Sequence, residues 1–193
     1  ADPKPYSPYL QARHLGRQGS VEARERSIAL YQQALAIDSS YAPVWVGLAQ
    51  GYRYQVFAGS QSIAEGFASA REAVDKALAL DPANAAAHAE LGWIALSYDG
   101  NLAAAAQHFE HALALEPANT DVMRGAAHMA GALGRLGTAI ALDEYVTAND
   151  PVNPIAYSNR GNQYVYAGRL DEAIASYDTA LSLSPDFAGA HYS

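Results

Sequence analysis

Cysteine is absent from all 193 residues. That excludes disulfide scaffolds, thiolate metal sites and cysteine nucleophiles. Charge is scarce as well: Asp, Glu, Lys and Arg together make up 17% of the chain, and lysines are few. Nor is there a long apolar run. The longest stretch without a charged residue, Ser39 to Tyr52, has 14 residues and includes Ser, Gln and Gly. It is too short and too polar to span a bilayer. No basic amphipathic stretch is present, so no direct membrane contact is expected. Twelve basic residues against twenty acidic ones leave a net charge of −8. A uniformly acidic chain is a poor candidate for phosphate backbones, and no nucleic-acid partner is expected.

What the chain does have is apolar and small: half of it is AVILMFWYC, and about a fifth is alanine. Alanine favours helix and lets helices approach closely. The alanines recur in phase. Ala77-Leu-Ala-Leu-Asp-Pro82, Ala112-Leu-Ala-Leu-Glu-Pro117, Val146-Thr-Ala-Asn-Asp-Pro151 and Ala180-Leu-Ser-Leu-Ser-Pro185 align, with prolines 35, 34 and 34 residues apart. Ala34-Leu-Ala-Ile-Asp-Ser39 fits with serine for proline. Each proline ends a helix, because its ring cannot continue the ladder and pushes its predecessor out of the α region.

Between prolines the spacing predicts two amphipathic helices. Trp45, Leu48, Ala49 and Tyr52, or Tyr157, Gly161 and Tyr164, mark a first helix. Gly100-Asn, Gly134-Arg and Gly168-Arg mark a turn in which glycine supplies the left-handed terminator. Ala173, Ile174, Tyr177, Ala180 and Leu181 then form the apolar face of a second helix.

These residues resemble the tetratricopeptide repeat (TPR) family, in which bulky, small and aromatic positions recur on each helix pair before a terminal proline. The resemblance implies an all-α fold, a right-handed superhelical solenoid of antiparallel helix pairs. Repeats are expected at about 6–40 (degenerate in its first helix), 41–84 (extended by about nine residues), 85–119, 120–153 and 154–187, with a further helix starting at 188–193. Both ends read as cut from a longer chain. The small positions Ala49, Gly92, Ala127 and Gly161, with Ala70, Ala105, Ala139 and Ala173, are expected to set the approach of paired helices. The amino end, Tyr9-Leu-Gln-Ala-Arg13-His-Leu-Gly and Ala23-Arg-Glu-Arg-Ser-Ile28, resembles the entry into TPR modules of bacterial multidomain signalling proteins. In such proteins the module is fused to winged-helix regulators, class III adenylate cyclases or TolB-like domains.

Catalytic patterns do not phase onto the repeats: no Ser/His/Asp set, phosphate-binding glycine loop or paired carboxylates. His108 and His111, three apart on one helix, could share a metal, but the sequence places no third ligand. The reading is non-catalytic, without metal or cofactor. The resemblance places first helices inside the superhelix, lining a concave groove. By phase the groove carries Val46, Gln50, Arg53 and Tyr54, then Ala86, Ala89, Trp93 and Leu96. Asp121, Arg124, His128 and Ala132 follow, and finally Ile155, Ser158, Asn162, Val165 and Tyr166.

Exposed Trp, Tyr and Arg dominate binding hot spots. Arg53, Tyr54, Trp93, Arg124, His128, Asn162 and Tyr166 are therefore the expected partner-binding set. The resemblance adds Asn159, since it and Asn162 stand where the family often has asparagines that hydrogen-bond a peptide backbone. Trp93 and Tyr166 could equally pack against neighbouring repeats. The chaperone-type carboxylate clamp is not supported, since its lysines are missing. The expected partner is a protein or peptide of mixed apolar and polar character. A second reading is oligomerisation, as a homodimer through the helical ends. The fourth repeat departs furthest from the pattern. It offers Met123, Ala126, Ala127 and Ala130 to the core, has Asp143 where an aromatic is expected, and carries four glycines. It is expected to be the softest unit.

Overall fold

A computed structural model of the chain describes residues 6–18 and 20–185. The expected further helix at 188–193 lies outside them. The described residues form ten helices and no strand: α1 (Tyr6–Gly16), α2 (Val21–Ile37), α3 (Ala42–Phe57), α4 (Ile63–Leu80), α5 (Ala85–Ser97), α6 (Leu102–Leu115), α7 (Thr120–Ala132), α8 (Leu136–Asn149), α9 (Pro154–Tyr166) and α10 (Leu170–Leu183). Helices α3 and α4, of 16 and 18 residues, are longer than the later ones, where the sequence has its insertion.

Helix ends follow local chemistry. Asp81, Glu116, Asp150 and Ser184 close α4, α6, α8 and α10 with φ between −133° and −149°. Each directly precedes a proline and so cannot stay helical. Two residues after each of the first three prolines an asparagine caps the next helix. Asn84 accepts from Ala87 N, Asn119 from Asp121 N and Val122 N, and Asn153 from Ile155 N and Ala156 N. The turns inside the pairs use Gly59, Gly100, Gly134 and Gly168, all with φ between 64° and 73°. Only glycine takes that conformation without strain.

Each helix packs on the next, and the odd-numbered helices also pack on one another: α1 on α3, α3 on α5, α5 on α7 and α7 on α9. Among the described residues no even-numbered helix packs on another. The solenoid therefore curves with its odd helices inside. The small positions sit where pairs touch. Ala49, Ala105, Ala127 and Ala139 are fully buried. A Cβ on Gly161 would lie 2.6 Å from the Tyr177 ring, and one on Gly125 would lie 2.2 Å from Phe109. Both glycines are set by close approach of an aromatic. In α7 the core residues are Val122 and Met129 together with Ala127 and Ala130, whereas Met123 is only half-buried.

Candidate functional site

The inner face opens into a cavity of about 270 Å³. Val46, Gln50 and Tyr54 line it from α3, Ala86 from α5, Asp121 and Arg124 from α7, and Ile155 from α9. These are groove positions expected from the repeat phase. The opposite wall was not expected: Tyr9, Arg13, Arg17, Arg24 and Tyr31 come from the first helix pair and its turn. Arg17 reaches Asp121 and Asp150, each at 3.7 Å, and Ser184 Oγ donates to the Gln18 carbonyl at 3.1 Å. The start of the solenoid thus curls onto its end, turning an open groove into a walled cavity.

Cations and rings alternate along the inner face. The Arg24 guanidinium lies 4.1 Å from the Tyr54 ring centre, and Arg53 lies 4.9 Å from the same ring and 4.8 Å from Trp93. Trp93 in turn meets His128 at 4.9 Å. Burial pushes the Tyr54 phenol up, but Arg124, Arg53 and Arg24 outweigh it, and the net shift is downward. Burial also opposes the charge on Arg124; Tyr54, Asp121 and Glu90 reverse that, leaving its pKa raised. Arg24 shifts downward because burial dominates and Arg53 and Arg124 add repulsion.

The structure divides the expected binding set. Arg53 is 3% exposed; its Nε and one terminal nitrogen donate to Glu90 at 3.0 and 3.3 Å. Trp93 is 7% exposed, edge-on to Phe109 at 5.7 Å. Neither lines the cavity; Arg53 packs against the Tyr54 ring that does. Tyr54 and Arg124 line the cavity, and His128 is exposed beside Trp93. Asn159, Asn162 and Tyr166 stand apart from the cavity on α9. Asn162 accepts a hydrogen bond from the Tyr177 hydroxyl at 2.6 Å, and Tyr166 is 70% exposed. The arginines of the first pair escaped the phase argument because α1 follows the repeat pattern poorly and Arg24 lies on α2, a second helix, whereas the groove was read from first helices. Their only sequence signal was basic residues concentrated there in an acidic chain.

The histidines do gather. His88 lies 4.4 Å from His111 and 6.5 Å from His108, but its Nε2 is engaged with the Pro82 carbonyl at 3.0 Å. Among the described residues no group of three His, Asp or Glu is arranged to hold a metal ion. No described helix is long and apolar enough to cross a membrane.

A tetratricopeptide repeat model matches residues 64–119 and 95–154, and a TPR repeat model matches 161–193. The chain belongs to the tetratricopeptide repeat family. Among solved structures this TPR chain is similar to YrrB, described as a TPR protein with an unusual peptide-binding site. The two are 25% identical over 95% of this chain and 88% of that one, with a TM-score of 0.53. It also shares its fold with TTC0263, a thermophilic TPR protein of Thermus thermophilus, at 21% identity, 94% and 92% coverage and a TM-score of 0.67. Human IFIT1, solved as a dimer with m7Gppp-AAAA, gives a TM-score of 0.76 at 22% identity, over 98% of this chain and 45% of that one. No curated protein matches the chain. TPR arrays are protein–protein interaction scaffolds, and members of the family are generally non-catalytic.

Proposed function

We propose that this TPR solenoid binds an extended peptide, or a segment of a partner domain, along its concave face. The observation that carries this reading is the cavity, which presents Tyr54 and Arg124 to whatever enters, with Arg53, fixed by Glu90, packed against the Tyr54 ring. Aromatic and arginine anchors in a preformed concavity are what a binding hot spot needs. The similarity to YrrB, described as having a peptide-binding site, adds support. Asn159, Asn162 and Tyr166 continue the same inner helix row and extend the groove beyond the cavity. The ligand is of mixed apolar and polar character.

The test places a photo-crosslinking amino acid at Gln50, inside the cavity, and separately at Glu110, an exposed residue of α6. Crosslinking of one protein from Gln50 and not from Glu110 is the expected result. Crosslinking from Glu110 alone would move recognition off the concave face.

A second reading, oligomerisation, is favoured by one observation. Leu170 and Ile174 on α10 are 60% and 58% exposed, an apolar face on the last described helix. A dimer in light scattering that is lost in Ile174→Glu, with no crosslink at Gln50, would favour it. In either case the chain serves as an interaction or regulatory module.

A further inference from the structure

Two guanidiniums of the cavity are left without a full set of partners. Arg24 enters from α2 and Arg124 from α7, on either side of Tyr54, and Arg124 is 8% exposed. The Nε of each is buried and has no hydrogen-bond partner among the described residues. An unmet donor on a buried cation is expensive. The carboxylates at the cavity are already committed, and Asp143, buried within the field of Arg124, is pushed toward its neutral form by that burial. Asp121 is shared between Arg17 and Arg124, both at 3.7 Å, and Asp150 pairs with Arg17 at 3.7 Å. Glu116 accepts from the Asn119 amide at 2.6 Å, and Glu90 is taken by Arg53. The asparagines at the rim, Asn84, Asn119 and Asn153, spend their carbonyl oxygens on helix caps. Around the cavity, then, Arg13, Arg17, Arg24 and Arg124 stand against Glu116, Asp121 and Asp150. The excess is one positive charge, in a protein whose net charge is −8.

We propose that the cavity is a receptor for a single carboxylate, the side chain of an aspartate or glutamate carried by the segment that occupies the groove. This rests on the groove reading above and gives its ligand a chemical class. One carboxylate balances the local charge and supplies acceptors to Arg24 and Arg124, whose forked N–H geometry matches a planar anion. A polyanion overshoots that balance and meets the repulsion of an acidic surface. The volume, about 270 Å³, admits a side chain and not a folded element. The lowered Tyr54 pKa records the same positive potential.

The full chain, labelled with ¹⁵N-arginine, tests this by NMR. Its Nε–Hε signals are followed while N-acetylglutamate methylamide is added, with the glutamine analogue as neutral control. N-acetylglycine and inorganic phosphate serve as alternative anions. The expected result is saturable movement of the Arg24 and Arg124 signals with the glutamate compound and none with glutamine. Binding should weaken roughly tenfold in Arg24→Gln. Arg124→Lys keeps the charge but loses the fork, and should weaken binding with helicity unchanged by circular dichroism.

Equal response to glutamine, absence of saturation, or binding that survives both substitutions overturns the proposal. Tighter binding of phosphate reassigns the cavity to a phosphorylated ligand, and tighter binding of N-acetylglycine reassigns it to a chain terminus; either overturns the side-chain assignment. The titration needs no protein partner. Its failure leaves the groove reading standing, whereas a failed Gln50 crosslink with intact anion binding overturns that reading alone.

Discussion

A single residue makes the array depend on pH. Asp143 stands where the repeat pattern expects an aromatic, and the structure buries it to 1% exposure with neither carboxylate oxygen hydrogen-bonded. Burial pushes its pKa up from the ordinary 3.8 to about 7, against the partial relief of Arg124 from α7 and Arg160 from α9. In the unfolded chain the group loses its proton near 3.8, so between there and about pH 7 the folded state holds the extra proton. The contribution of Asp143 to stability therefore falls as pH rises through that window and levels off above it. The gap corresponds to at most roughly 4 kcal/mol. Asp143→Leu, which puts an apolar side chain into the same space, should raise stability by about 1–4 kcal/mol at pH 8 and by much less at pH 4. Urea unfolding of both proteins at the two pH values measures this. A gain independent of pH would show that the Asp143 carboxylate carries no penalty.

At the scale of the helix the sequence was most readable. Proline forces the preceding residue into extended backbone, and the glycine turns require positive φ; both are local facts, so they determine where helices stop. The sequence makes the fourth pair soft in part because Gly125, Gly131, Gly134 and Gly137 lower helix propensity. The structure gives three of them a reason. Gly125 makes room for Phe109, Gly131 lies against the Gln163 amide, and Gly134 takes φ of 73°. Of the four, only Gly137, at the start of α8, combines open space at its Cβ position with a negative φ. Gly137→Ala should stabilise the protein by about 0.4–1 kcal/mol by restricting the unfolded chain. Gly125→Ala should destabilise it by roughly 1–3 kcal/mol, since Phe109 is 2% exposed and has little freedom to move. Paired denaturation curves give both signs. Propensity alone would make both substitutions stabilising; only the packing separates them. With Asp143 buried in the same pair, α7 and α8 should open more readily in hydrogen exchange than α5–α6 or α9–α10. Equal protection would remove the case for a soft fourth unit.

The cavity belongs to the whole molecule, and the sequence showed only half of it. Repeat phase located Gln50, Tyr54, Asp121 and Arg124 because helix periodicity decides which side faces inward. It could not distinguish Arg53, held by Glu90 37 residues away, from a free groove side chain. Nor could it bring Arg13, Arg17 and Arg24 to the opposite wall, because solenoid curvature accumulates from small rotations at each interface that no local spacing records. The contacts that close the curl are weak. Arg17 is 39% exposed and holds both its carboxylates at 3.7 Å, and among the described residues a further tie is the exposed hydrogen bond from Ser184 to Gln18. Exposed pairs of this kind contribute about 0–1 kcal/mol and are screened by salt. Closure is thus far less costly to undo than the helix pairs are to unfold, and the cavity should open without loss of the fold. Arg17→Glu sets a negative charge against Asp121 and Asp150. It should raise the radius of gyration in X-ray scattering while changing unfolding free energy by less than about 1 kcal/mol. The unaltered chain should expand toward the same value as salt approaches about 1 M, and the variant should respond little. If both proteins keep one radius at every salt concentration, backbone curvature closes the cavity and Arg17 is incidental to it.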